Sequence, residues 1–140
     1  MRDVLIRTYQ DDDLPAIMVL WEAVFPGDSP GNQAPVAIPQ KETFQPGLIF
    51  VAERESQVVG TCMAGYDGHR GWLNAVAVHP DAQRQGIATK LINHAVDALK
   101  ALGCPKVNLQ VRAGNEAVVA FYKTLDFDVE ERVSMGKSLE

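Results

Sequence analysis

The chain has 140 residues, a formal net charge of −5 and 46% apolar residues. This length is that of one domain, and the acidic charge argues against nucleic-acid binding, which usually relies on a basic surface. No apolar run reaches the roughly 18 residues of a membrane span, and the N-terminal residues lack the pattern of a signal peptide. We therefore expect a cytoplasmic protein with one domain, residues 1–140, and with no membrane partner.

The first part of the chain predicts a strand, a helix and a loop. Residues 4–7 form the predicted strand, and apolar residues that recur every three or four positions from Leu14 to Phe25 predict an amphipathic helix. Residues 26–39 are rich in proline and glycine, which predicts a long loop, with a short helix after it at 40–45.

The rest of the chain predicts a mixed sheet. Strands joined by polar turns predict an antiparallel meander, at residues 48–53, 57–66 and 72–78. A long helix from Gly86 to Gly103 is followed by a strand, a helix and two short strands, at 107–111, 115–125, 127–130 and 132–135. Because the strand–helix–strand unit 72–111 should be parallel, we predict an α/β fold with about six or seven strands and about four helices on both faces of the sheet.

The loop between the strand at 72–78 and the long helix predicts an anion site. The first N–H groups of a helix have no partner within the helix and lie at the positive end of its dipole, where phosphate binds well. Gly86 and Ala88 keep bulky side chains away from this backbone. The loop has neither the three glycines of a dinucleotide fingerprint nor the Gly-Lys-Ser/Thr of a P-loop.

Two motifs, in this order along the chain, resemble those of the GNAT N-acetyltransferases. Residues 83–88, Gln-x-x-Gly-x-Ala after a strand that ends in His-Pro, resemble the acetyl-CoA loop of that superfamily. Residues 115–127 resemble its Asn-x-x-(small)-x-x-Phe-Tyr-x-x-x-Gly-Phe segment. Residues 66–71 are further similar to the small bacterial YpeA-type acetyltransferases within the superfamily.

The resemblance extends over essentially the whole chain and implies that acetyl-CoA is the co-substrate. In the GNAT fold, the strands at 72–79 and 106–111 splay apart and leave a V-shaped slot for the pantetheine arm. The backbone N–H groups of the loop and one hydroxyl would bind the phosphates, and the residues concerned are Gln83, Arg84, Gln85, Gly86, Ile87, Ala88 and Thr89. Gln83 and Gln85 replace basic residues of many relatives, whereas Arg84 can add a charge-assisted hydrogen bond.

The resemblance also implies roles for the strand at 72–78 and for the second motif. The backbone N–H of Val76, released by a β-bulge, would stabilise the charge that develops on the acetyl carbonyl oxygen. The backbone along Ala77 and Val78 would pair with the pantetheine arm like an added strand. Tyr122 would donate a proton to the departing thiolate, and Asn115 would bind the pantetheine arm, cap the following helix, or do both.

The sequence defines the acceptor site and the general base less closely. We expect the acceptor pocket between the first helix, the loop 26–39 and the turn 67–71, with the candidate residues Trp21, Glu22, Phe25, Asp67, His69 and Trp72. Trp72 occupies the position of a catalytic glutamate in some relatives, so the base is a bound water or one of Glu22, Asp67 and His69. The acceptor is an amine of a small molecule, or of a protein or peptide.

These observations predict an N-acetyltransferase in which an amine attacks the thioester directly, with no covalent enzyme intermediate and no metal. Cys62 and Cys104 have neither metal-type nor redox-type spacing. Two alternatives stay open: a non-catalytic acyl-CoA-binding sensor on the same fold, and a partner-binding module that uses the loop 26–39 and has no affinity for CoA. Dimers are common in the superfamily, so the resemblance is also compatible with a homodimer.

Overall fold

The computed structural model describes residues 3–139, which divide into two compact units, residues 3–110 and residues 111–139. The elements of the first unit are β1 (Leu5–Thr8), α1 (Leu14–Val24), α2 (Ala34–Phe44), β2 (Ile49–Arg54), β3 (Gln57–Tyr66), β4 (Gly71–Val78), α3 (Ile87–Ala101) and β5 (Val107–Leu109). The second unit contains α4 (Glu116–Lys123). A single domain over residues 1–140 stays a prediction.

The strands of the described residues form one mixed sheet in the order β1-β2-β3-β4-β5. Neighbouring strands from β1 to β4 are antiparallel, and β4 pairs with β5 in parallel after the crossover through α3. The mixed α/β sheet is as predicted. The prediction of six or seven strands is wrong for residues 3–139, because the sheet there is 5-stranded.

The two strands predicted at 127–130 and 132–135 are the ones that do not form. Residues 127–139 contain neither a helix nor a strand. Their apolar side chains alternate locally, yet Val129, Val133 and Met135 are 69%, 88% and 91% exposed. Alternation alone does not make a strand, because the backbone groups need a neighbouring strand and the apolar face needs a core.

The prediction of a loop over residues 26–39 is also wrong from residue 34 onwards, because α2 begins at Ala34. Pro35 lies in the first turn, where its missing N–H would have had no helical partner. Pro39 lies inside the helix and removes a backbone hydrogen bond, which disfavours a helix on local grounds. Ala34 and Ile38 are buried in the core together with residues of α1, and this burial stabilises α2 against its local preference.

Helices cover both faces of the sheet, as predicted. On one face, Ile49 and Val51 of β2 pack in the same core as Ile17 of α1. On the other face, the ring centroid of Phe50 lies 4.8 Å from that of His94 on α3. Because successive side chains of a strand point to opposite faces, α1 and α3 lie on opposite sides of the sheet.

Arg7 joins β1 to the turn that precedes α1. Its guanidinium donates two hydrogen bonds to the carboxylate of Asp13, at 2.9 and 2.8 Å, and a third to Glu53 of β2 at 3.3 Å. Asp13 also accepts a hydrogen bond from the backbone N–H of Gln10 at 2.8 Å. The hydrogen bonds from Arg7 first, and that from Gln10 in addition, lower the pKa of Asp13 although burial opposes the shift.

Acid should destabilise the fold through Asp13. Because its pKa is lowered in the folded chain, the ion pair contributes fully above the unfolded-state pKa of about 4 and is lost as the pH falls through the folded-state value. Asp13→Asn should therefore lose about 1–2 kcal/mol of unfolding free energy at neutral pH. Its urea-unfolding free energy should also decline less than that of the wild type below about pH 4.

Asp12→Asn is the control for this experiment, because Asp12 is the exposed neighbour of Asp13. It removes the same charge and should keep the wild-type dependence of stability on pH. An Asp13→Asn profile that coincides with the wild-type profile would contradict the assigned role of the ion pair.

Candidate active site

The pairing of β4 with β5 stops before β4 itself ends. It pairs with β5 from Gly71–Val107 to Leu73–Leu109 and no further. β4 itself continues to Val78, so residues 74–78 have no strand partner on that side within the described chain. This strip of strand edge lies where the sequence predicts the backbone that pairs with the pantetheine arm.

A β-bulge interrupts β4 on its other side, which faces β3. Two residues of β4, Ala75 and Val76, oppose the single residue Cys62 of β3. Ala75 has a φ of 50°, in the left-handed region that residues with a Cβ rarely adopt. A bulge is therefore present at the position where the sequence predicts one, beside the N–H of Val76.

Two hydrogen bonds, one buried and one partly buried, attach this bulge to β3 and α1. Trp21 Nε1 donates to Thr61 Oγ1 at 3.0 Å, and Thr61 Oγ1 donates to the carbonyl oxygen of Ala75, also at 3.0 Å. Thr61 and Trp21 are both buried. Sequence reasoning placed Trp21 in the acceptor pocket but missed Thr61, whose one signal is a hydroxyl within an apolar strand.

The loop between β4 and α3 offers a group of free backbone donors. Gly86 precedes α3 with a φ of 78° and supplies no side-chain cap. Within the described part of the chain, no backbone N–H of residues 83–89 donates a hydrogen bond. A Cβ added to Gly86 would meet nothing within 4 Å, so a ligand can approach this backbone. Free donors around an accessible backbone fit the oxygens of a diphosphate.

Two glutamines tie this loop to the sheet. Gln83 Nε2 donates to the carbonyl oxygen of Val78 at 3.1 Å, and Gln85 Oε1 accepts a hydrogen bond from Arg54 at the end of β2. Arg84 lies between them, exposed, with a φ of 64°. The sequence interpretation saw both glutamines as lost positive charges, whereas their hydrogen bonds hold the loop against β2 and β4.

A cavity of about 110 Å³ lies beside α1. Its walls come from α1, from the segment after it and from the start of α2, and consist of Met18, Trp21, Glu22, Phe25, Asp28, Asn32, Gln33, Ala34 and Pro35. The rings of Trp21 and Phe25 meet edge to face, with their centroids 6.2 Å apart. Three of the predicted acceptor residues thus line one cavity, together with residues of the segment after α1.

The other three predicted acceptor residues, Asp67, His69 and Trp72, do not line this cavity. Asp67 accepts hydrogen bonds from the backbone N–H groups of Arg70 and His69, both at 2.7 Å, and so forms the turn before β4. These hydrogen bonds lower the pKa of Asp67, which makes it a weaker base. His69 is exposed in the same turn, and Trp72 is paired with Gly65 in the sheet.

The second unit contains the remaining predicted residues. Asn115 Oδ1 accepts a hydrogen bond from the backbone N–H of Val118 at 3.4 Å, which confirms the predicted cap of α4. Tyr122 is half-buried, and its ring lies edge to face with that of Phe127, with 5.6 Å between the centroids. Asp126 ends this segment with a φ of 69°, a left-handed conformation that Asp tolerates better than most residues.

The two cysteines of the chain lie in different surroundings, Cys62 buried and Cys104 partly exposed. Cys62 and Cys104 are both free thiols, and burial raises the pKa of Cys62 to about 12. No group of three or more His, Cys, Asp or Glu side chains within residues 3–139 could hold a metal ion. None of the helices described there is long and apolar enough to cross a membrane.

Comparison with known families identifies the fold and the reaction class. The model of the acetyltransferase (GNAT) family matches residues 14–127. The chain belongs to the GNAT family. An acetyltransferase of Yersinia pestis (strain Pestoides F) is 40% identical to this GNAT chain over 136 residues, which cover 96% of the chain and 94% of the relative. The family match and the similarity to this relative show that the chain is an acetyltransferase, and its co-substrate is acetyl-CoA.

Solved structures of the aminoglycoside N-acetyltransferase AAC(6')-Iy share this GNAT fold. Its complex with CoA has a TM-score of 0.80 at 18% identity, and the match covers 99% of this chain and 97% of that one. Its complex with the bisubstrate analogue CoA-S-monomethyl-acetylneamine has a TM-score of 0.78 at 19% identity, with coverages of 97% and 98%. At these identities the similarity shows the fold alone.

The free backbone donors predict that Gly86→Ala will weaken acetyl-CoA binding. The added methyl group would stand beside the loop amides and would strain a backbone whose φ is 78°. We expect the Kd for acetyl-CoA, measured by calorimetry, to rise about tenfold.

Gly47→Ala is the matched control, because Gly47 has a φ of 84° and equally open surroundings in the turn before β2. It should lower the melting temperature by a similar amount and leave the Kd for acetyl-CoA unchanged. A wild-type Kd for Gly86→Ala would count against a diphosphate site at this loop.

Proposed function

We propose that this GNAT enzyme transfers the acetyl group of acetyl-CoA to an amine that binds in the cavity beside α1. The observation that carries the proposal is the double contact of Trp21. Its side chain lines the cavity, and its Nε1 is linked through Thr61 to the carbonyl oxygen of Ala75 in the bulge. The cavity is therefore two hydrogen bonds away from the peptide group whose N–H would bind the acetyl carbonyl oxygen.

The lining of the cavity favours a cationic acceptor. It includes the carboxylates of Glu22 and Asp28 and no basic side chain. The rings of Trp21 and Phe25 add aromatic surface, which attracts a cation through the electrostatics of its faces. The acceptor class that this chemistry recognises is a primary amine that is protonated in solution, on a small molecule or at the end of a lysine side chain.

A protonated amine must lose a proton before it attacks the thioester, and Glu22 is the candidate base that this structure supports. Glu22 lies on the exposed rim of the cavity, and the described residues offer it no hydrogen-bond donor. Asp28 is already engaged, since its Oδ1 accepts from the backbone N–H of Ser29 at 3.1 Å. Asp67 and His69 line a turn outside the cavity.

The residues of β4 and of the following loop supply the donor side of the reaction in this proposal. Acetyl-CoA, when bound, supplies an acetyl group activated as a thioester. The amides of residues 83–89 would hold its diphosphate, and the N–H of Val76 would stabilise charge on the carbonyl oxygen, an effect of about 3 kcal/mol for one such donor. The family resemblance assigns proton donation to the departing thiolate to Tyr122.

An acetyl-transfer assay with a panel of amines tests the proposed function. The panel should contain a polyamine, an aminoglycoside, a lysine-containing peptide and an amino acid amide, with an uncharged alcohol as the negative control. Release of the CoA thiol should depend on at least one amine. Saturable acetyl-CoA binding without transfer to any amine would favour the non-catalytic acyl-CoA sensor instead.

The Glu22→Gln variant should lower kcat/KM for the best amine about 10-fold to 100-fold. The loss should shrink as the pH rises and the free amine becomes neutral without help. Asp97→Asn removes an equal charge from the exposed side of α3 and should behave like the wild type. A kcat/KM for Glu22→Gln equal to that of the wild type would point to a bound water as the base.

Tyr122→Phe tests the proton donor separately. The variant keeps the ring and its edge-to-face contact with Phe127, so the protein should fold and bind acetyl-CoA as the wild type does. Loss of the phenol should lower kcat about tenfold, because the thiolate would leave without a proton. An unchanged kcat would reduce Tyr122 to an aromatic packing residue.

A further inference from the structure

Thr61 is a fully buried polar residue in the buried central part of β3. A hydroxyl without hydrogen bonds is costly in such a place. Its single oxygen is used twice, as the acceptor from Trp21 Nε1 and as the donor to the carbonyl oxygen of Ala75, each at 3.0 Å. The hydroxyl therefore belongs to a chain of hydrogen bonds that runs from α1 through β3 to the bulge in β4.

The carbonyl of Ala75 and the N–H of Val76 belong to the same peptide group. The described residues contain no cis peptide bond, so this group is trans, and its oxygen and hydrogen point in opposite directions. The Ala75 oxygen is directed at Thr61 on β3. The Val76 N–H consequently points away from the Thr61 hydroxyl, and the neighbouring edge of β4 beyond Leu73, where β5 no longer pairs, is open to a ligand.

This peptide orientation requires a local conformation that is costly without support. Ala75 has a φ of 50°, in the left-handed region that a residue with a Cβ rarely adopts. The Ala75 side chain is partly buried against the core that contains Trp21. Among the described residues, Thr61 is the only one whose side chain donates a hydrogen bond to the Ala75 carbonyl.

We propose that Thr61 is a positioning residue for acetyl transfer, and that Trp21 fixes its hydroxyl. Thr61 holds the Ala75–Val76 peptide so that the Val76 N–H faces the acetyl carbonyl oxygen, and it contacts neither substrate itself. Trp21 couples this device to the acceptor cavity, because the same indole is a wall of that cavity. The inference rests on the proposed function and names the residues that make its carbonyl-binding donor available.

The matched pair Thr61→Val and Thr61→Ser separates positioning from packing. Valine keeps the shape and loses the hydroxyl, whereas serine keeps the hydroxyl and loses a methyl group. We expect Thr61→Val to lower kcat at least tenfold with little change in the Kd for acetyl-CoA, and Thr61→Ser to stay within about threefold of the wild-type kcat. Equal kcat values for the two variants would overturn the proposal.

The backbone amide of Val76 provides a readout that does not depend on turnover. We would use a ketone analogue of acetyl-CoA, in which a methylene replaces the thioester sulfur so that its carbonyl cannot be transferred. Binding of this analogue should move the Val76 amide proton downfield in the wild type and in Thr61→Ser, and should leave it nearly unmoved in Thr61→Val. An identical Val76 response in all three proteins would overturn the positioning role.

The two experiments also separate this inference from the proposed function. A normal Val76 response in a wild-type enzyme that acetylates no amine would reject the proposed function and leave the positioning role supported. If Thr61→Val does not fold, Trp21→Phe removes the donor to Thr61 Oγ1 while keeping an aromatic wall. That variant should then show the weakened Val76 response, and a wild-type response from it would overturn the proposal.

Discussion

A backbone N–H or carbonyl needs a hydrogen-bond partner, and the arrangement of this protein depends on where β4 and the loop after it lack the usual ones. Pairing with β5 ends at Leu73, a bulge displaces Ala75 and Val76, and the amides of residues 83–89 donate to nothing within the described chain. These breaks follow one another along a single stretch. Their order along the chain is the order of the thioester, the pantetheine amides and the diphosphate in acetyl-CoA, and each of these groups can form hydrogen bonds with the backbone.

The rest of the first unit makes these breaks stable. Gln83 and Gln85 attach the loop to β4 and β2 through their side chains. The backbone amides of the loop are not used for this attachment. Thr61 holds the carbonyl of Ala75, and Trp21 in turn holds Thr61. Because that indole also lines the cavity, the residues proposed to bind the acceptor are built on the same support as the residues proposed to bind the donor.

The sequence predicted well the features that short-range physics determines, and less well those that tertiary contacts decide. The amphipathic helix after Gly86 and the turn formed by Asp67 need only local periodicity or local hydrogen bonds. α2 was unexpected because Pro39 disfavours a helix locally, while burial of Ile38 favours it. The family motif predicted the position of the bulge. The role of Thr61 could not be predicted, because its hydrogen-bond partners are distant in the sequence.

The measurement that tests the central claim most directly is a titration of the ¹⁵N-labelled protein with CoA, followed through its backbone amide signals. If the free amides grip the diphosphate, the signals of residues 83–89 should move downfield together, and they should saturate with the Kd that calorimetry gives. The amides on the exposed face of α1 should stay unchanged. CoA binding that leaves residues 83–89 unmoved, or no binding heat at all, would contradict this account.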